Sequence, residues 1–334
     1  MLFQHNLSKL WLLWELVALS EPIVVYCPMD LAKATAAVFW LTALIRPLRF
    51  GGDYRPYLHI HSHNFASIVN NNAPRQGYII GCTSPLLFSA CRHWPHVLTI
   101  HDSSSPAQGN LFGTTSKLQG SHSFREAQNG QSGLYSERKR TIKRDDEVLR
   151  LVQDRVRAGD CKPSSSMCFD LTDSLAVLQA DAILIRHFSH LSQSLLVPLN
   201  RYFATLHPHA KPGAKPIPSL PFSNEDFVQS IKTYDTPLKF RRPRMPGSSS
   251  AAPHAAISLY QRFVSSPNFA EWLRVRLIDS DEALRSRYLT NLETMNVPDW
   301  AKGRTTREVN GLLRQVEAEI STLVSCLPCF LCQV

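Results

Sequence analysis

The sequence contains no G-x-x-x-x-G-K loop, no G-x-G-x-x-G turn after a strand and no G-x-S-x-G elbow. The first two absences argue against a bound nucleotide and the third against a serine hydrolase of the α/β type. No secretory leader is visible, since Met1 to Lys9 offers one lysine and no small-residue cleavage site. Membrane spans are lacking too. Leu10 to Cys27 is interrupted by Glu15, Glu21 and Pro22, and Ala34 to Ile45 falls short of the roughly 20 apolar residues a span needs. The eight cysteines, at 27, 82, 91, 161, 168, 326, 329 and 332, are too sparse for a disulfide scaffold and read as reduced thiols of a cytoplasmic protein. Cys332 stands one position too late for a prenylation box.

What is present is a globular balance, 44% apolar and 19% charged residues over 334 positions, with room for two domains. The excess of 36 Lys and Arg over 27 Asp and Glu, a formal charge of +9, favours acidic partners or an anionic membrane surface. In the first hundred residues two periods alternate, as in helices packed on a mostly parallel central sheet. An apolar helix with Leu12, Leu13, Leu16, Val17 and Leu19 ends at Pro22, and Pro22 to Pro28 reads as a buried strand. Asp30 caps an Ala-rich helix over Leu31 to Leu48. Further strands are predicted over Tyr57 to His61, Gly77 to Thr83 and His96 to His101, with helices over His63 to Asn70 and Pro85 to Trp94.

Ser, Gly, Gln and Asn dominate from Ser103, so residues 103–142 read as a linker or insertion between the α/β module, residues 1–102, and an all-α module, residues 143–325. Residues 326–334 are a tail. The clearest downstream helix carries Leu184, Phe188, Leu191, Leu195, Leu199, Tyr202 and Leu206 on one face, with Pro198 predicted to kink it. Low-complexity breaks cover His207 to Pro221 and Pro243 to Pro253. Ser266-Pro267 opens another helix, with Asn268 and Glu271 placed as a capping box, and Thr305 with Glu308 makes a second box. Trp14, Trp94 and Trp272 are assigned to the core.

Chemistry is thinly supported. His59, His61 and His63, with His101-Asp102, could present imidazoles to a divalent metal, but the α/β module is poor in the carboxylates a metal hydrolase would add. Cys326, Cys329 and Cys332 have metal-like spacing without a second pair. Cys27, Cys82 and Cys91 sit in apolar runs, where a thiol is inert packing. No catalytic residue, cofactor or metal is assigned. The basic runs Arg138 to Arg144 and Lys239 to Arg244 lack the aromatic interleaving of a nucleic-acid platform. They read as solvated surface, with Lys239, Arg241, Arg242 and Arg244 as a peripheral contact for an anionic membrane.

Particular words then become informative. Leu13-Trp14-Glu15-Leu16-Val17 followed by Glu21-Pro22 is similar to the LWELV...EPLVV signature of the DENN family, in particular its subfamily six. Pro47-Leu48-Arg49-Phe50, Asp53-Tyr54-Arg55-Pro56-Tyr57 and Ile60-His61 resemble the same subfamily's PLRF-x-x-DFRPYFTIH block. Gly81, Thr83 and Pro85 resemble its GVTNPF turn, and His93-Trp94-Pro95-His96 its HWPH. The likeness continues through Arg144-Asp145-Asp146-Glu147, Gln193-Ser194, Pro198-Leu199, Arg201-Tyr202, Leu259-Tyr260 and Ser266-Pro267-Asn268-Phe269 to Trp272. His61 matches a histidine of the pattern; His59 and His63 do not.

The resemblance implies a DENN-like fold and a Rab GTPase partner, with guanine-nucleotide exchange in endosomal membrane traffic as the activity, or a Rab-binding scaffold without exchange. Asp53, Tyr54, Arg55, Asn70 and Ser84, polar or amphipathic residues at strand-end turns, are the Rab-contact candidates. The family also carries a longin-like half ahead of its LWELV helix, and the residues before Leu13 leave no room for one. The resemblance therefore implies either a fragment or a truncated gene model, with an exchange surface that is incomplete.

Overall fold

The computed structural model describes residues 2–70, 72–101, 124, 127, 132–160, 171–207, 220–241 and 251–326. Two compact units are formed, residues 1–204 with 222–275 and residues 205–221 with 276–334.

In the first unit, α1 (Leu10–Ala18) runs into β1 (Ile23–Tyr26), α2 (Leu31–Leu44), β2 (Asp53–Arg55), α3 (Phe65–Ile68), β3 (Tyr78–Cys82), α4 (Pro85–Ala90), β4 (His96–Thr99) and β5 (Gly133–Ser136). The strands form one sheet in the order β2-β3-β1-β4-β5. All neighbours are parallel except β4 and β5. The mostly parallel α/β expectation therefore holds, and its central strands β1 and β4 are buried along their whole length.

Two expectations need correction. The second strand is Asp53–Arg55 and not Tyr57 to His61, because Pro56 has no N–H to continue the ladder. The chain instead turns away, held by the Leu58 N–H on the Gly81 carbonyl at 2.8 Å. Glycine is required where β2 begins, since a Cβ on Gly52 would stand 2.1 Å from the Gly77 carbonyl oxygen. The second correction is β5, whose four residues fall inside the segment read as linker over 103–142. A strand of Gly, Leu, Tyr and Ser buries only Leu134 and is held by its ladder to β4, so composition gave no sign of it. Phe124 and Ala127, from the same segment, belong to the core that Val24, Tyr26, Ile80, Phe88 and Trp94 form.

On the helical side of this unit lie α5 (Asp146–Asp160), α6 (Leu171–Thr205), α7 (Asn224–Thr233), α8 (Ala251–Val264) and the start of α9 (Pro267–Thr294). Helix α1 is buried nearly all round, packed against α2 and tied to α6 by two tryptophan hydrogen bonds. Trp11 Nε1 donates to His187 Nε2 at 3.1 Å and Trp14 Nε1 to Ser192 Oγ at 2.9 Å. Leu184, Phe188, Leu195, Leu199 and Tyr202 form the buried face of α6 as expected, and the helix continues through Pro198. Trp14, Trp94 and Trp272 are all buried.

The start of α9 corrects a third expectation. Ser266 supplies the cap, accepting from the Phe269 N–H at 3.3 Å, while Glu271 turns to Arg274 at 2.8 Å. Asn268 is fully buried and reaches elsewhere. Its amide donates to the carbonyls of Val17 at 2.7 Å and Ala18 at 3.0 Å, and its oxygen accepts from the Gly51 N–H at 2.8 Å.

A charged network ties the same unit together. Glu15, inside α1, faces Arg138 Nη2 at 3.1 Å and accepts from the N–H groups of Thr141 at 2.8 Å and Ile142 at 3.3 Å. Glu21 pairs with Arg138 at 3.1 Å and with Arg262, and lies 3.7 Å from buried His96. Burial pushes the Glu21 carboxyl up, but the hydrogen bond from His96 and the charges of Arg262, His96 and Arg138 outweigh it, leaving the group below its ordinary range. A carboxylate depressed on folding stabilises the native state above its unfolded value near pH 4.5, and that stability is lost as pH falls through the lower folded value. Glu21→Gln is expected to flatten the acid limb of the stability curve below about pH 4.5, measured by denaturant midpoints from about pH 7 down to about pH 3.

The second unit contains the remainder of α9, α10 (Val297–Ala301) and α11 (Thr306–Cys326). The Thr305 and Glu308 box forms as expected: Glu308 Oε2 accepts from the Thr305 N–H at 2.8 Å and the Glu308 N–H reaches Thr305 Oγ1 at 3.4 Å. The breaks at His207 to Pro221 and Pro243 to Pro253 lie mostly outside the described residues, as do Asp102, Cys161, Cys168, Arg242, Arg244, Cys329, Cys332 and the side chain of Cys326.

Candidate docking surface

Parallel pairing puts the carboxyl ends of β1, β2, β3 and β4 along one edge of the sheet, where open α/β sheets bind their partners. After β1 the chain turns through Met29, which is 94% exposed and has φ 61°, the left-handed region a non-glycine residue enters at a cost. Asp30 then caps α2, accepting from the Lys33 N–H at 2.8 Å, and Leu31 is left half exposed. The turn after β2 exposes Tyr57 and Ile60, and the turn after β3 enters α4 with Leu86 70% exposed. Met29, Leu31, Ile60 and Leu86 thus share an edge without being covered. Exposed apolar residues gathered on one face mark a binding surface, and methionine adapts well to a partner's shape.

Of the five residues singled out from the sequence, three form β2 and two lie outside the strands. Arg55 and Ser84 stand at this edge, Ser84 preceding α4 with no side-chain capping bond. Asp53 begins β2 and is 2.8 Å from Arg55, an ion pair between residues two apart on the same strand. Tyr54 lies edge-on to Phe39 and Phe50 at 5.8 and 6.2 Å between ring centres. Asn70 folds on its own loop, donating to the Ser67 carbonyl at 3.0 Å and accepting from the Asn72 N–H at 2.9 Å. Sequence reasoning passed over the apolar edge because Met29, Leu31 and Leu86 look like core residues. The one hint was their position, immediately beside a strand end at Asp30 and at Pro85.

Side-chain chemistry gains nothing from the geometry. His59 and His61 rings lie 6.2 Å apart, His63 is paired with Asn64 at 2.8 Å, and among the described residues no three His, Cys, Asp or Glu side chains are grouped to hold a metal. Burial pushes the Cys91 thiol up to about 12 and Cys82 well above its ordinary value, so both stay protonated. Two clefts remain. One of about 450 Å³ lies between α7 and α8; the other, of about 630 Å³, is lined by Glu21, Gln76, Ser258, Gln261 and Arg262. No helix of the described residues is long and apolar enough to cross a membrane.

The apolar carboxyl edge of the sheet is the candidate docking surface, and comparison with known proteins shows what the chain resembles. The chain is 28% identical to Protein DENND6A of Gallus gallus over 312 residues, covering 92% of this chain and 48% of that protein. It is 27% identical to Protein DENND6B of Homo sapiens over 321 residues, covering 95% and 50%. Against the Protein DENND6 homolog of Dictyostelium discoideum it is 26% identical over 351 residues, covering 95% and 45%. No family model matches. The resemblance to the subfamily-six DENN proteins is thereby shown over nearly the whole chain. The chain spans about half the length of the curated relatives it matches.

Proposed function

We propose that the chain acts on a Rab GTPase as a guanine-nucleotide exchange factor, in the cytoplasm and recruited to endosomal membranes. The observation that carries this is the uncovered apolar edge at Met29, Leu31, Ile60 and Leu86 in a DENND6-like chain. Exchange asks for no proton transfer and no covalent intermediate. It needs a surface that binds the nucleotide-free, switch-displaced Rab better than the GDP form, and it can shift the equilibrium only by that difference in affinity. The edge supplies apolar contact, and Asp53, Tyr54, Arg55, Asn70 and Ser84 are the polar and aromatic contacts proposed around it. Because the chain spans about half of its relatives, a Rab-binding or DENN scaffold without exchange is the second reading.

Binding of a Rab panel, each member nucleotide-free and GDP-loaded, tests the proposal. At least one Rab is expected to bind about tenfold more tightly when nucleotide-free, and Leu86→Asp or Met29→Asp to weaken that binding about tenfold with an unchanged melting temperature. Equal affinity for both states would leave the Rab-binding scaffold; no binding by any Rab would remove exchange and Rab binding together and leave only a DENN scaffold.

A further inference from the structure

The two basic runs, roughly a hundred residues apart in sequence, are zipped together in the first unit. Ile142 and Phe240 form an antiparallel bridge, the Lys143 N–H donates to the Lys239 carbonyl at 2.8 Å, and the Arg241 N–H to the Thr141 carbonyl at 2.9 Å. This register sets Lys143 opposite Lys239 and Thr141 opposite Arg241. Side chains alternate across such a pair. Ile142 is accordingly buried, while Lys143, Lys239 and Arg241 are exposed. Lys143 and Lys239 are like charges directly opposed, which an isolated strand pair would avoid.

The neighbouring charges do not relieve this. Asp146 is held by Arg144 at 2.6 Å, and Asp145 accepts from the N–H groups of Glu147 and Val148 at 3.1 Å, with Glu147 beside it. Lys143, Lys239 and Arg241 form no ion pair with a described carboxylate. Arg140 adjoins them. Its Nε is buried without a hydrogen-bond partner, and burial together with the charges of Arg144 and Arg241 pushes its guanidinium below the usual range. Glu15 fixes the seam from inside through the N–H groups of Thr141 and Ile142.

We propose that this seam is a docking site for the anionic headgroups of a lipid bilayer, with Lys143, Lys239 and Arg241 facing the membrane. Lys143, Lys239 and Arg241 are all exposed, so the seam presents its charge on an open surface. Among the described residues its one aromatic, Phe240, is half-buried, which sets the seam apart from a nucleic-acid platform. Basic residues near an anionic surface add attraction individually and lose it to salt. The proposal deepens the membrane-recruited part of the exchange-factor reading.

The test is sedimentation of the full chain with vesicles of phosphatidylcholine alone, of phosphatidylcholine with phosphatidylserine, and of phosphatidylcholine with phosphatidylinositol bisphosphate. A free inositol phosphate and a short DNA duplex serve as competitors. Binding is expected to the anionic vesicles only and to fall with salt. The triple variant Lys143→Gln, Lys239→Gln, Arg241→Gln is expected to bind roughly a hundredfold more weakly, by about 1 kcal/mol for each basic residue removed, with the same melting temperature. Equal binding by wild type and variant, equal binding to neutral vesicles, or displacement by the soluble phosphate or the duplex would overturn it. No Rab is present, and GDP release measured without vesicles should be the same for the variant, so failure of this site and failure of the exchange reading are separable.

Discussion

Asn268→Ala is expected to destabilise the first unit by about 3 to 5 kcal/mol and to lower its melting temperature by roughly 10 °C. The side chain is fully buried and satisfies three backbone groups at once, the carbonyls of Val17 and Ala18 and the N–H of Gly51. Removing it strands all three away from water, and an orphaned buried polar group costs about 1 to 3 kcal/mol. The apolar isostere Asn268→Leu should do no better, since it fills space without supplying a donor or an acceptor. Thermal and denaturant unfolding measure both variants. A loss under about 1 kcal/mol would show that water takes over the amide's hydrogen bonds to the end of α1.

Glu15→Ala should be as damaging, by about 3 to 5 kcal/mol, because it leaves Arg138 with half of its compensation and frees the N–H groups of Thr141 and Ile142 inside the core. Glu15→Gln is the informative partner. It keeps an acceptor for the two N–H groups but removes the charge opposite Arg138, so it should fall between wild type and alanine. Denaturant midpoints give the ranking. If glutamine and alanine were equally harmful, the charge would matter and the backbone bonds would not. The glutamate of the LWELV word is therefore structural, because it holds in place, 126 residues on, the segment that carries half of the basic seam.

These two residues also show where sequence reading reaches and where it stops. Helix α1 and strands β1, β3 and β4 were legible because each is a mainly apolar run between prolines, glycines or caps, the pattern a buried element leaves. Trp14 and Trp94 were legible for the same reason. Strand β2 was misplaced because three residues, Asp53–Arg55, on a sheet edge carry no periodicity. Strand β5 was hidden in a Ser and Gly-rich stretch because its backbone ladder, not its side chains, holds it. Asn268 was taken for a cap because local spacing favours that role, whereas its carbonyl partners lie 251 and 250 positions away. The two basic runs were each visible, but their pairing through Ile142 and Phe240 depends on tertiary folding alone.

The docking edge was the least legible feature. Its polar candidates were chosen as strand-end residues, and Arg55 and Ser84 do stand there, but Asp53 is tied to Arg55 and Asn70 to its own loop. The apolar residues that define the edge differ from core residues only in being uncovered, and exposure is not written in hydrophobicity. Met29 illustrates this. It follows a strand that is buried throughout and is itself turned outward by a left-handed backbone.

The most direct test of the central claim is release of fluorescent GDP from a Rab panel, with the chain alone and with the chain fused to the half of a DENND6 relative that it does not match. The account predicts acceleration of about tenfold or more for at least one Rab, lost in Leu86→Asp and Met29→Asp. No acceleration of any Rab by either form, or acceleration untouched by both edge variants, would contradict it.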